Sequence, residues 1–238
     1  MFQLLANPAR FMAFSRWLAP LLGVLAAILL AWGLWLSLST PDDYQQGATV
    51  RILFIHVPAA WMALFVYMCM GGASFFGLVF RHSLADAAAK AAAPLGVVFT
   101  VLALATGSLW GRPMWGTWWV WDARLTSVVV LLMFYLGYIA LHLAMDDEAK
   151  AARAAAILSL VGLVNLPVVH YSVTWWNTLH QGASVLAAGG PGLAPVYLLP
   201  LGVMALAYTT LFGALWLVRI RAEVWRKKAG SLALAAAG

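Results

Sequence analysis

The sequence predicts an all-α integral membrane protein, a six-transmembrane-helix bundle with both termini cytoplasmic and a Trp-rich loop on the outer face. Three observations carry that prediction. The 238 residues are 64% hydrophobic and only 9% charged, with mean hydropathy +0.90, against roughly 25% charged in soluble domains. Six charge-poor stretches reach the ~18 residues that a helix needs to cross a bilayer. The cations are also distributed unevenly among the alternate connections. Arg10, Arg16, Arg81, Lys90, Lys150, Arg153, Arg219, Arg221, Arg226, Lys227 and Lys228 fall on one side, and only Arg51, Arg112 and Arg124 on the other. The positive-inside rule puts the richer side in the cytoplasm. The formal charge of +6 is therefore read as a topology signal and not as a nucleic-acid footprint.

The spans follow in order. The first, 17–38, exceeds the 7–15 apolar residues of a signal peptide and is followed by no small-residue cleavage site, so an uncleaved helix is expected. The second, 52–80, is longer than a bilayer requires and must tilt or project beyond it. The third is 91–110, the fourth 125–145, the fifth 154–172 and the sixth 196–218. They lie too close together to leave room for a soluble domain, so 1–238 reads as one membrane domain. Past the sixth span, the basic segment Arg219–Lys228 reads as an anchor touching anionic lipid. The closing GSLALAAAG is expected to fray.

Several chemistries are excluded early. The lone Cys69, mid-span, rules out an internal disulfide, a CxxC redox pair and a C-x-x-C-H site for covalent haem. With no G-x-x-x-x-G-K-[ST] loop, any ATP dependence must come from a partner.

The chemistry left over lies on the outer face. From Trp110 to Asp122 the chain reads WGRPMWGTWWVWD, five of its thirteen tryptophans in one run. Trp115, Trp118, Trp119 and Trp121 sit among Gly111, Pro113 and Gly116, too polar and turn-rich for a span. A platform for a large planar ligand and an aromatic anchor belt both use indole here; the length of the run, 110–124 with its flanks, favours the platform. His56 lies just inside the outer end of the second span and His180 in the third outer connection. Each alone reads as a packed histidine, but together they can approach one iron from opposite sides, as haem ligands do. His170, near the outer end of the fifth span, is a third candidate or a packing residue. His82 and His142 read as structural. Arg51, Arg124 and, less so, Arg112 suit a bidentate grip on propionates; simple snorkelling is the alternative. Asp122 either orients a histidine, pairs with an arginine, or caps the fourth helix.

These residues resemble a known family. WGTWWVWDARLTS (115–127) is similar to the tryptophan-rich signature of the haem-handling membrane proteins of cytochrome c maturation. PDDYQQG (41–47), HVPAAW (56–61) and NLPVVHYSVTWWNTLHQG (165–182) narrow the resemblance to the CcmC branch. It covers nearly the whole chain and is weakest at residues 1–16, at 184–195 and in the C-terminal tail. The resemblance implies non-covalent haem b held by His56 and His180 as axial ligands, with the Trp motif (Trp115, Gly116, Trp118, Trp119, Trp121, Asp122) as its platform. It also implies a bacterial inner-membrane protein and no catalysis by this chain. The implied partners are a periplasmic haem chaperone (CcmE), ABC transporter subunits (CcmA, CcmB) and a small single-span subunit (CcmD). Two other readings stay open on the residues alone, a haem-b electron-transfer subunit and a permease subunit of a small-molecule ABC transporter.

Overall fold

The computed structural model describes residues 7–180 and 192–237; most of the third outer connection therefore lies outside the described residues. The order is α1 (Pro8–Ser39), a 3-10 helix (Ala48–Ile52), α2 (Leu53–Phe80), α3 (Ser83–Trp115), α4 (Ala123–Ala144), α5 (Glu148–Gly162), α6 (Asn165–Trp175) and α7 (Pro195–Ala237). Among the described residues there is no strand, only an isolated bridge between Asp43 and Gly47. Six segments among the described residues are long and apolar enough to cross a membrane, so the expected all-helical, six-span fold holds.

Local chemistry sets the helix starts. Asn7 caps α1 by accepting from Ala9 N at 2.9 Å, with Pro8 at the first helical position. His82 caps α3 through Ala85 N at 3.2 Å, and Asp147 caps α5 through Ala149 N and Lys150 N at 2.9 and 3.1 Å.

Three boundaries differ from the expected ones. The fifth span, Glu148–Trp175, is broken at Leu163–Val164. Pro167 has no N–H for the Leu163 carbonyl and crowds it. Tighter bonds take over there, Val164 N to Val161 O at 3.2 Å and Leu166 N to Leu163 O at 3.1 Å. The third span runs on to Trp115, so Gly111, Arg112, Pro113 and Trp115 are helical and not loop. The C-terminal segment is helix to Ala237 and not frayed. Arg221 donates to Met12 O at 2.6 Å and Ser15 Oγ at 3.0 Å, and Lys90 pairs with Glu223 at 3.3 Å. Ala, Leu and Lys, good helix formers, fill the remainder.

Small residues let the helices close on one another, as membrane packing requires. Gly96 lies against the Tyr135 phenol and Gly162 against Tyr67, leaving no room for a Cβ at either. Tyr135 Oη donates to Ala63 O at 2.8 Å. Phe54, Val66 and Met70 of α2, Ala92 and Ala93 of α3 and Leu201 and Met204 of α7 belong to one buried cluster. Cys69 is free and half-buried at the edge of this cluster.

Candidate functional site

At one end of the bundle the 40–52 connection, the C-terminus of α3, the 116–122 connection and the residues after α6 come together. Gly116, in the left-handed region (φ +75°), terminates α3 by donating its N–H to Arg112 O at 3.0 Å, a glycine stop. The chain then runs through Trp118, Trp119 and Trp121 to Asp122, the N-cap of α4.

Asp122 performs two of its expected tasks at once, one with each oxygen. Its Oδ1 accepts from Leu125 N at 2.8 Å, capping α4, and its Oδ2 accepts from His180 Nδ1 at 2.8 Å. Both side chains are largely buried, His180 with 16% and Asp122 with 6% of its surface exposed. A carboxylate only accepts, so the His180 proton sits on Nδ1 and the Nε2 lone pair is free. The Trp115 ring meets the imidazole edge-on at 4.7 Å.

His56, in the first turn of α2, is held in the same sense. Its Nδ1 lies 3.0 Å from Ala103 O and 3.1 Å from Thr106 Oγ1. A carbonyl accepts only, and the Thr106 hydroxyl donates to Leu102 O at 2.7 Å. The proton is therefore on Nδ1 and Nε2 is again the free nitrogen. A Cβ at Gly107 would come within 2.9 Å of His56 Cε1, so the small residue there makes room for the ring. Trp110 stands edge-on at 5.7 Å. His56 lies within electrostatic range of both His180 and Arg124.

The arginines are partly committed. Arg51 pairs with Asp42 at 2.8 Å and donates to Thr40 O at 3.2 Å, while its Nε is buried without a partner. That ion pair is solvent-exposed, and such pairs contribute about 0–1 kcal/mol, so it exchanges readily for another anion. Arg124 donates to Ser172 Oγ and to His170 O, both at 3.3 Å. Arg112 donates to Gly116 O and lies over the Trp118 ring at 6.0 Å. Trp121 and Trp118 present 72% and 53% of their surface, enough to meet a ligand or a partner, whereas Trp119 is half-buried against Trp121. The exposed His170 ring packs on Tyr171, and its backbone is what reaches this site.

A groove of about 420 Å³ opens beside Asp122, between Trp121, Trp176, Thr126, Ser127 and Asn165. A larger cavity of about 530 Å³ lies at the opposite end, among Asp86, Lys90, His142, Glu148 and Arg226. Its lining is charged, and neither His56 nor His180 is part of it. The residues that sequence reasoning missed are Gln46, Ala103 and Ser172. Thr106 and Gly107, near the end of the third span, also belong to the site: the Thr106 hydroxyl meets His56 Nδ1, and Gly107 faces the imidazole ring.

Burial pushes the His180 imidazole below its ordinary 6.5; the hydrogen bond and charge of Asp122 act against this, and Arg124 adds to the lowering. The unfolded chain therefore binds the proton first. Stability is unaffected well above pH 6.5 and declines as pH falls from 6.5 towards the lower folded value. In the haem-free protein, the His180 ring resonances are expected to titrate with a midpoint below 6.5; a midpoint at or above 6.5 contradicts this account.

The family model described as heme exporter protein C matches residues 1–235. A protein named heme exporter protein C from Bradyrhizobium diazoefficiens is 59% identical over 228 residues, 96% of this chain and 87% of the relative. Proteins of the same name from Escherichia coli K12 and Paracoccus denitrificans are 48% and 46% identical, covering 91% and 95% of this chain and 88% and 95% of their own lengths. The order of spans, the paired imidazoles at one end and this agreement along the whole chain lead to one conclusion: the chain belongs to the heme exporter protein C (CcmC) family.

Proposed function

We propose that this protein holds haem b, non-covalently, at the periplasmic face of the bacterial inner membrane and presents it to a periplasmic haem chaperone (CcmE) during c-type cytochrome biogenesis. The observation that carries the reading is the matched state of two imidazoles. His56 and His180 each commit Nδ1 as a donor and leave Nε2 free, at the same end of the bundle, each with an indole against its ring. Metal-ligating histidines are fixed in this way by a carbonyl or carboxylate behind the ring. Among the described residues no three His, Cys, Asp or Glu side chains gather around one point. Two imidazoles are too few for a bare ion, whereas a porphyrin brings four nitrogens of its own. The donor set fits haem.

The residues divide the work. Ala103 O, Thr106 and Asp122 keep the ligand nitrogens aimed. Trp115, Trp118, Trp119 and Trp121 supply the apolar bed, and Gly116 sets the turn that carries them. Arg51 and Arg124 are the candidates for the propionates. An interfacial shelf leaves one edge of the cargo open to a partner, which a site buried in the bundle does not. The excess of Lys and Arg in the alternate connections supports cytoplasmic termini. With no phosphate loop in the chain, ATP hydrolysis belongs to the transporter subunits (CcmA, CcmB); a single-span subunit (CcmD) completes the assembly.

The visible spectrum of the purified, full-length protein after haem-replete expression tests the reading. A Soret band with low-spin character is expected, and its absence from overproduced protein would sink the proposal. Trp118→Ala and Trp121→Ala remove mainly exposed indole, together with the contacts of Trp121 with Trp119 and of Trp118 with Arg112. They are expected to weaken capture of the haem chaperone, read as complex yield, with membrane insertion unchanged. Undiminished capture by the double variant counts against a platform.

A further inference from the structure

The 40–52 connection is held by more hydrogen bonds than a link between two spans requires. Asp43 and Gly47 exchange backbone bonds of 3.2 and 2.8 Å, and Gly47 closes the turn at φ +56°, where a side chain is strained. Within the turn, Asp43 Oδ1 accepts from the N–H groups of Gln45 and Gln46, both at 2.9 Å. The Gln46 carbonyl accepts from Thr49 Oγ1 at 2.7 Å. The Gln46 main chain is thus pinned on both sides, and its side chain points away to α3. There its Oε1 accepts from Trp110 Nε1 at 3.0 Å.

Trp110 stands edge-on to His56, ring centroids 5.7 Å apart and planes at 72°. An indole has one donor and no acceptor, so the bond to Gln46 selects which edge faces the turn and how the ring meets the imidazole. His56 is fixed at Nδ1 by Ala103 O and Thr106. Those contacts hold the ring at one atom, Gly107 lies close to its Cε1, and Trp110 stands against its side.

We propose that Gln46 is a positioning residue for His56: by holding Trp110 it fixes the plane of the imidazole whose Nε2 faces the cargo. This rests on the reading of His56 as an iron ligand. Gln46→Met is close in length and cannot accept a hydrogen bond; Gln46→Glu can.

Two measurements on full-length protein decide the matter. In haem-free protein, carbethoxylation of His56 by diethyl pyrocarbonate, resolved by peptide mass spectrometry, is expected to quicken about fivefold in Gln46→Met. That factor corresponds to the ~1 kcal/mol of one net hydrogen bond. The Gln46→Glu protein should react at the wild-type rate. In haemin-loaded protein, Gln46→Met should shift or broaden the low-spin electron paramagnetic resonance signal and quicken haemin loss, and Gln46→Glu should not. Should Gln46→Met not fold, Trp110→Phe removes the same bond and is expected to give the same two changes. Wild-type behaviour of Gln46→Met in both measurements overturns the proposal, as does an equal effect from Gln46→Glu. If wild-type protein binds no haemin, the ligand reading fails, yet the carbethoxylation rates still decide whether Gln46 orders His56.

Discussion

Replacing both His56 and His180 by alanine is expected to abolish stable haem binding, while either single replacement leaves a weakened, altered complex. Changes to groups that merely orient a metal ligand cost about 10–100-fold in affinity, so loss of a ligand must cost more. The fold should survive. His56 gives up hydrogen bonds to Ala103 O and Thr106 Oγ1, and one net hydrogen bond contributes about 1 kcal/mol. The Ala103 carbonyl keeps the Thr106 hydroxyl at 3.3 Å. His180 lies beyond α6 and packs mainly on Trp115 and Asp122. Gel filtration should therefore show a monodisperse protein whose Soret band is shifted in each single variant and missing in the double. Added imidazole should restore the band in the single variants by filling the vacated volume. Unchanged haem content and spectrum in both single variants would dismiss these side chains as ligands.

The helices were legible because a hydrocarbon layer demands long apolar runs, and that demand is written in composition. Their ends were less so. Gly111 and Pro113 read as breakers, yet α3 runs through both to Trp115. Pro113 takes the helical partner from one carbonyl, that of Leu109, within two turns of the helix end, and the turns before it keep theirs. Gly116, with its positive φ, is the true stop. The break at Leu163–Val164 was hidden for a related reason: neighbouring helices and tighter local turns can absorb a proline within a span. In the site, residue types were legible and orientation was not. Nothing in HVPAAW says that the His56 ring turns Nδ1 towards a backbone carbonyl of another helix, because a carbonyl carries no sequence signal. The Asp122 partnership was closer to the surface of the sequence, since a carboxylate ending the tryptophan run has few tasks open to it. Sequence offered these as alternatives, and the geometry combines two.

That double duty makes Asp122 the position where fold and site separate most cleanly. Asp122→Ala removes the α4 cap, which costs about 0.5–2 kcal/mol, and leaves His180 Nδ1 without its acceptor. Both stability and haem affinity are expected to fall, the latter by about 10–100-fold. Asp122→Asn discriminates. Asn caps a helix about as well as Asp, so with its oxygen on Leu125 N the thermal midpoint should stay near wild type. Its amide N–H₂ then faces His180 Nδ1, and two donors cannot share that contact. The imidazole answers by moving its proton to Nε2, the atom that must be bare to bind iron. Asp122→Asn should therefore lose haem affinity nearly as far as Asp122→Ala while keeping its stability. Nitrogen-15 resonances of labelled histidine report the tautomer directly. An Asp122→Asn protein that binds haem as wild type does, or whose His180 keeps its proton on Nδ1, removes Asp122 from the site and leaves it only the cap.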